Sequence, residues 1–231
     1  MKKIVVLHTD VAPDASEDEL DCLKQAETVS EALLKIGFEP ILMPFVLDLS
    51  KMMAALRQIS PQAVFNLVET IAGKGSLIYL APALLDLLNI PYTGCRTDAM
   101  YLTSNKPMAK KMMHDSGINT PAWFIENGNS FGSMTSDTMI IKACWEDASV
   151  GLDEKSVIKW TNITDILNAI CRGRQKLGVS CFAEEYIDGR EFNIALLAGQ
   201  SGVQILPPAE ILFQDYPKDK LKMLDYRSKW I

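Results

Sequence analysis

Lys142 interrupts Met139-Ile140-Ile141-Lys142-Ala143, a run otherwise apolar enough to be buried on both faces of a sheet. A lysine there either turns to solvent on an open face or meets an anion, and the pattern leaves both readings open. The loop after it, Glu146-Asp147-Ala148-Ser149-Val150-Gly151, has small residues and a glycine. Such loops can close over phosphate through backbone N–H groups, although many hairpin loops share the composition. Lys106 follows Asn105 at an expected helix start, where free N–H groups already attract anions; an exposed lysine on a capped helix would look the same. Glu184 and Glu191 flank Ile187-Asp188-Gly189-Arg190 at about the reach of a nucleoside. Carboxylates accept from amino groups and sugar hydroxyls, so a hairpin and a nucleoside site are compatible readings.

Composition narrows the chemistry. The net charge of −6 argues against a nucleic-acid surface, which would show a basic patch, but a few placed lysines suffice for phosphate. The five cysteines, at 22, 95, 144, 171 and 181, form no Cys-x-x-Cys pair, and only two histidines could help them bind zinc. They read as free thiols of a cytoplasmic protein. The apolar run Ile4–Leu7 is too short for a signal peptide, and no stretch reaches the roughly 18 residues of a membrane span.

The elements that must hold these residues follow from periodicity. Strands are expected at Ile4–Leu7, Phe38–Phe45 and Ala63–Leu67, alternating with a helix that Ser16 caps and Gly37 stops, and a helix at Leu49–Ile59. Such alternation implies a parallel, doubly wound sheet over residues 1–95, with ligands beyond the strand ends near His8–Asp10 and Asn66–Glu69. A further helix is expected at Leu77–Leu88, and Ile90–Gly94 leads into a short strand and turn. Asn105, Pro107 and Gly117 then frame another helix. Strands follow at Ala122–Glu126 and Thr138–Ala143, and a helix at Ile163–Leu177. Cys181–Tyr186 and Glu191–Leu197 are expected to form a hairpin about Asp188-Gly189, with Val203–Leu206 continuing that sheet.

In this order and spacing the motifs resemble the D-alanine–D-alanine ligase branch of the ATP-grasp family. The resemblance rests on Val64-Phe65-Asn66-Leu67-Val68-Glu69, on Ile90–Gly94 followed by Asn105-Lys106, and on Gly117–Pro121. Lys142, Ser149-Val150-Gly151, Gly189-Arg190-Glu191, Pro207–Ile211 and Asp225–Lys229 continue it in register. It implies a pre-ATP-grasp domain at 1–95, a central ATP-grasp subdomain at 96–190, and the start of a C-terminal subdomain at 191–231. It also implies that ATP activates a carboxylate as an acyl phosphate, which an amine then attacks.

The resemblance assigns ATP to Lys106, Lys142, Ser149, Glu184, Glu185, Ile187, Glu191 and Lys229. Lys106 and Lys142 would hold phosphates under the Ser149 loop, and Lys229 would approach them on closure. Glu184 would take the adenine amino group, with the Glu185–Ile187 backbone nearby, and Glu191 the ribose. Glu19 and Glu69 are the expected contacts to a small amino-acid-like substrate. Asp147-Ala148 stands where the family has Gly-Ser, Ala143 where it has proline, and the family's N-terminal Ser-x-Glu-Arg substrate motif is absent, with Glu17, Asp18 or Glu19 left to stand in for its acid, so D-alanine itself is not indicated.

Mg²⁺ is expected for the family, but its carboxylate and Glu-x-Asn ligands belong to a segment beyond Lys229. Glu191-Phe192-Asn193 spells the motif at the ribose position instead. The expectation is therefore a ligase inactive alone, or else a non-catalytic nucleotide-binding or interaction module. The ligase would need a missing C-terminal segment in cis or trans, and apolar surface left by a sheet stopped mid-domain would make the chain self-associate as a homo-oligomer or leave it marginally soluble. The apolar Trp230-Ile231 end is the visible sign of such a surface.

Overall fold

The computed structural model describes residues 1–217 and 220–230. Its first strand, β1 (Lys2–Thr9), buries every residue from Ile4 to Thr9. Helix α1 (Glu17–Lys35) leads to β2 (Phe38–Phe45), and α2 (Leu49–Ile59) leads to β3 (Ala63–Leu67). The three strands are parallel in the order β2-β1-β3, so the longest apolar run takes the centre. A parallel bridge from Val64 to Tyr92 brings the Ile90–Gly94 segment onto the β3 edge. Val5, Leu7, Phe45, Leu56, Val64 and Leu85 form the core beneath.

Leu77–Leu88 was expected to be one helix; α3 begins later, at Leu80–Leu88, after a separate 3-10 turn at Gly75–Leu77. Pro82 sets that start. Its missing N–H is harmless only in a first turn, where N–H groups have no intrahelical partner. Next come α4 (Thr97–Ser104) and α5 (Lys106–Asp115). Asn105 leaves the helical conformation and separates them, and its side chain accepts from the Met108 N–H at 2.9 Å. Pro107 sits in the first turn of α5, as read from the sequence.

The second unit contains β4 (Trp123–Phe124), β5 (Ser130–Phe131), β6 (Thr138–Ala143), β7 (Val157–Lys159), α6 (Ile163–Leu177) and β8 (Cys181–Glu185). These strands form one antiparallel sheet in the order β5-β4-β8-β6-β7. One face packs on α6, where Ile166, Ala169 and Ile170 meet Met139, Ile141 and Ala183. The strand expected at Ala122–Glu126 shrinks to two residues, because Gly128 at φ +83 turns the chain into β5.

The expected hairpin about Asp188-Gly189 does not form. β8 has β4 on one edge and β6 on the other, so no edge remains for the next strand. Neither turn residue has the positive φ that a two-residue type I′ turn requires. The turn instead carries the chain to β9 (Glu191–Asn193), and the expected Glu191–Leu197 strand breaks before β10 (Leu196–Gly199). β10 pairs with β11 (Gly202–Ile205) in its own hairpin, and β9 pairs with β12 (Ala209–Ile211). Val203–Leu206 therefore does not extend the main sheet. Helix α7 (Tyr226–Trp230) follows, with the Trp230 indole donating to the Ala148 carbonyl; Ile231 lies outside the described residues. No described helix is long and apolar enough to cross a membrane.

Candidate functional site

A strand presents alternate residues to one face, so Ile140 and Lys142 on β6 share the face of Phe182 and Glu184 on β8. The register pairs Lys142 with Phe182 and Ile140 with Glu184. Lys142 and Glu184 are thus diagonal neighbours, within reach of long side chains. They form an ion pair on Glu184 Oε1, and the other oxygen, Oε2, is held at 2.9 Å by Lys110. Lysines and carboxylate lie on the face away from α6. Both readings of Lys142 were open; its side chain meets an anion, and the anion is the protein's own.

Glu184 is largely buried, which raises its pKa, but the two lysines outweigh burial and hold its carboxyl below the usual range. Lys110 is pulled down by burial, against the attraction of Glu184. The sequence does not single out Lys110, one of three lysines on α5. It lies four residues after Lys106, so the two share one face of α5.

Lys142, Ser149, Glu184, Glu185, Ile187 and Glu191 all line one cavity of about 380 Å³. That is within the range of small-ligand sites. Glu185 faces the opposite way from Glu184: its side chain is buried and accepts from the Thr135 N–H at 2.9 Å and hydroxyl at 2.6 Å. Both bonds fall on Oε1, and the Glu185 N–H donates to the Ala122 carbonyl at 2.9 Å.

Residues 222–224 form the front wall, and no periodicity pointed to them. The Lys222 carbonyl accepts from the Tyr186 hydroxyl, and the Leu224 carbonyl from the Ser149 hydroxyl at 2.8 Å. The Tyr226 hydroxyl donates to Asp18 Oδ1 at 2.6 Å, tying this strap to the N-terminal unit.

Lys106 stands at the start of α5, outside this lining, with Nζ on the Glu146 carbonyl and 3.2 Å from Asp147 Oδ1. Two consecutive non-glycine residues of the loop, Ala148 and Ser149, have left-handed φ values of 54° and 62°. Gly151 also has positive φ, and a Cβ there would stand 2.6 Å from Leu177. Gly151→Ala should therefore cost about 1–3 kcal/mol in urea unfolding; an unchanged midpoint would mean that the loop tolerates the side chain.

The remaining expected contacts are not brought to the cavity. Glu19 accepts from the N–H and hydroxyl of Ser16 and so caps α1; the acid that meets the strap is its neighbour Asp18. Glu69 follows β3, where its N–H donates to the Thr9 hydroxyl at 3.0 Å. It keeps one side open to solvent, yet partial desolvation pushes its carboxyl up, Gln25 opposes this, and Asp21, Asp147 and Asp18 add to it. Lys229 is exposed on α7. Burial pushes the Cys144 thiol up to about 12 and Cys181 to about 11, which leaves neither as a thiolate nucleophile.

No model of a known protein family matches the chain. A solved D-alanine–D-alanine ligase of Bacillus anthracis, complexed with ATP, superposes over 93% of this chain and 67% of its own, at TM-score 0.65 and 18% identity. The fold is that of the D-alanine–D-alanine ligases. In sequence, the ligase of Aquifex aeolicus is 29% identical over 220 residues, which are 94% of this chain and 67% of that protein. An uncharacterised protein of Sinorhizobium fredii is 30% identical over 212 residues, 89% of this chain and 60% of its own length. The chain thus spans about 60–67% of these two relatives. Of the departures noted in the sequence, Ala143 ends β6, Asp147 meets Lys106, and Ala148 takes a left-handed turn.

Proposed function

We propose that this chain binds ATP in the cavity between β6, β8, β9 and the 222–224 strap, as the nucleotide-holding part of a carboxylate–amine ligase. The observation that carries the reading is the convergence on one cavity of six of the eight residues assigned to ATP from sequence. Glu184 and the backbone of Glu185–Ile187 would face adenine, and Glu191 would face ribose. Lys142, the Ser149 loop and Lys106 would face the phosphates, with Lys229 approaching from α7. In the reaction this implies, a substrate carboxylate oxygen bonds to the γ-phosphorus and ADP leaves. The amine of a second amino-acid-like molecule then attacks the acyl carbon, and phosphate leaves. Such transfer depends on positioning and charge neutralisation.

The sequence resemblance implies Mg²⁺. Among the described residues no group of three or more His, Cys, Asp or Glu is placed to hold a metal ion. No step is assigned to it.

Titration of ATP into the protein by calorimetry tests the reading; absence of binding would overturn it. Glu191→Gln should weaken ATP several-fold equally with and without Mg²⁺, since a ribose contact is indifferent to metal. An effect confined to Mg²⁺-containing buffer would make Glu191 and Asn193 a metal motif instead.

The β10–β11 hairpin leaves Leu196, Leu197, Val203 and Ile205 exposed. Among the described residues no further strand pairs with it, so it should drive self-association. Light scattering at the monomer mass across a concentration series would exclude that.

A further inference from the structure

Glu184 and Lys142 line the cavity, and Lys110 lies behind them on Glu184. Glu184 is bonded through one oxygen to Lys142 and through the other to Lys110. The two lysines differ in freedom. The Lys110 side chain is 6% exposed, against 29% for Lys142. Lys110 is also fixed from other directions: its Nζ donates to the Thr120 hydroxyl at 2.7 Å and lies 5.1 Å from the centre of the Trp123 ring. Trp123 is itself fully buried and stacked on Phe131. Lys142 has no second anchor among the described residues, and it faces the cavity.

A buried carboxylate that stays ionised needs a counter-charge. A lysine that serves both as counter-charge and as phosphate ligand must leave the first post to fill the second. With Lys142 alone, binding a nucleotide's phosphates would strand Glu184 as an unpaired buried anion, and that cost would be subtracted from the phosphate contact. We infer that Lys110 is a positioning residue for nucleotide binding: it stays on Glu184 and so frees Lys142 to move from Glu184 to the phosphates. It touches no ligand. This rests on the ATP reading above and adds to it a residue outside the set assigned from sequence.

The effect belongs to the phosphates, which separates it from simple support of the pocket. Calorimetric titration of ATP and of adenosine gives the ATP-over-adenosine preference for each variant. In Lys110→Met that preference should fall about tenfold, with adenosine affinity changed far less. Lys110→Arg keeps the charge and should retain most of the preference. In the double variant Lys110→Met/Glu184→Gln the anion is gone together with its fixed partner, so Lys142 is free. The preference should return to within a few-fold of the parent, whatever happens to adenosine affinity itself.

A double variant as poor in preference as Lys110→Met would overturn the inference. So would equal losses for ATP and adenosine in Lys110→Met, which would make the lysine mere packing. If Lys110→Met does not fold, as circular dichroism would show, Lys110→Arg and the double variant decide alone: loss of preference in either counts against it. A parent chain that binds neither ligand would instead sink the ATP reading, leaving the two failures distinguishable.

Discussion

Glu184→Ala should cost the fold about 3–5 kcal/mol, the typical consequence of removing one partner of a buried charge pair. The Glu184 and Lys110 side chains are 13% and 6% exposed, so the loss leaves an ammonium with only the Thr120 hydroxyl and the Trp123 face for company. Removing both charges should be far milder, because two similar apolar or neutral groups leave nothing unpaired. Urea unfolding of Glu184→Ala and of Lys110→Met/Glu184→Gln checks this; a double variant no more stable than the single one would contradict it. The same carboxylate gives a pH signature. Its folded pKa lies below the ordinary 4.5, so it contributes stability that is full above that value and is lost as pH falls through the folded pKa. The double variant should therefore lose less stability than the parent on going from neutral pH into that acid range.

Lys142→Ala should weaken ATP roughly ten- to a hundredfold, the range for a charge-assisted contact. Lys110 keeps Glu184 paired in the parent, so the loss on truncating Lys142 reports the phosphate contact. Truncation leaves Glu184 with Lys110, so the fold should survive while binding suffers. Adenosine, which has no phosphate, should bind about as before. Equal ATP affinities for parent and variant, measured by calorimetry, would take Lys142 out of the site.

Much of this was legible in the sequence because it depends on neighbours along the chain. Strand period places Lys142 and Glu184, and a break in an apolar run betrays the first of them. Asn105 and Pro107 announce α5 by cap chemistry. The continuous run of β1 predicts its central place. What could not be read depends on partners distant in sequence. Asp188-Gly189 has hairpin composition, but β8 is already paired on both edges, and only the finished sheet reveals that. Helix α4 buries none of its residues, so it carries no apolar stripe to find. Lys110 is hidden among three lysines of one short helix, at 106, 110 and 111, and burial alone tells it apart from Lys111. The 222–224 wall works through backbone carbonyls, which every residue possesses.

The hydroxyl of Tyr226 on Asp18 joins groups 208 residues apart in the chain. Closing a loop costs more entropy the longer it is, and contacts so distant form after nearer ones have restricted the chain. The parallel unit and the antiparallel sheet can each assemble from much shorter separations. The front wall of the cavity should then be the last part to settle during refolding and the first to open under mild denaturant. Amide protons at 222–226 should exchange well before those of β1 and β8, so the molecule can lose its pocket while keeping both of its cores.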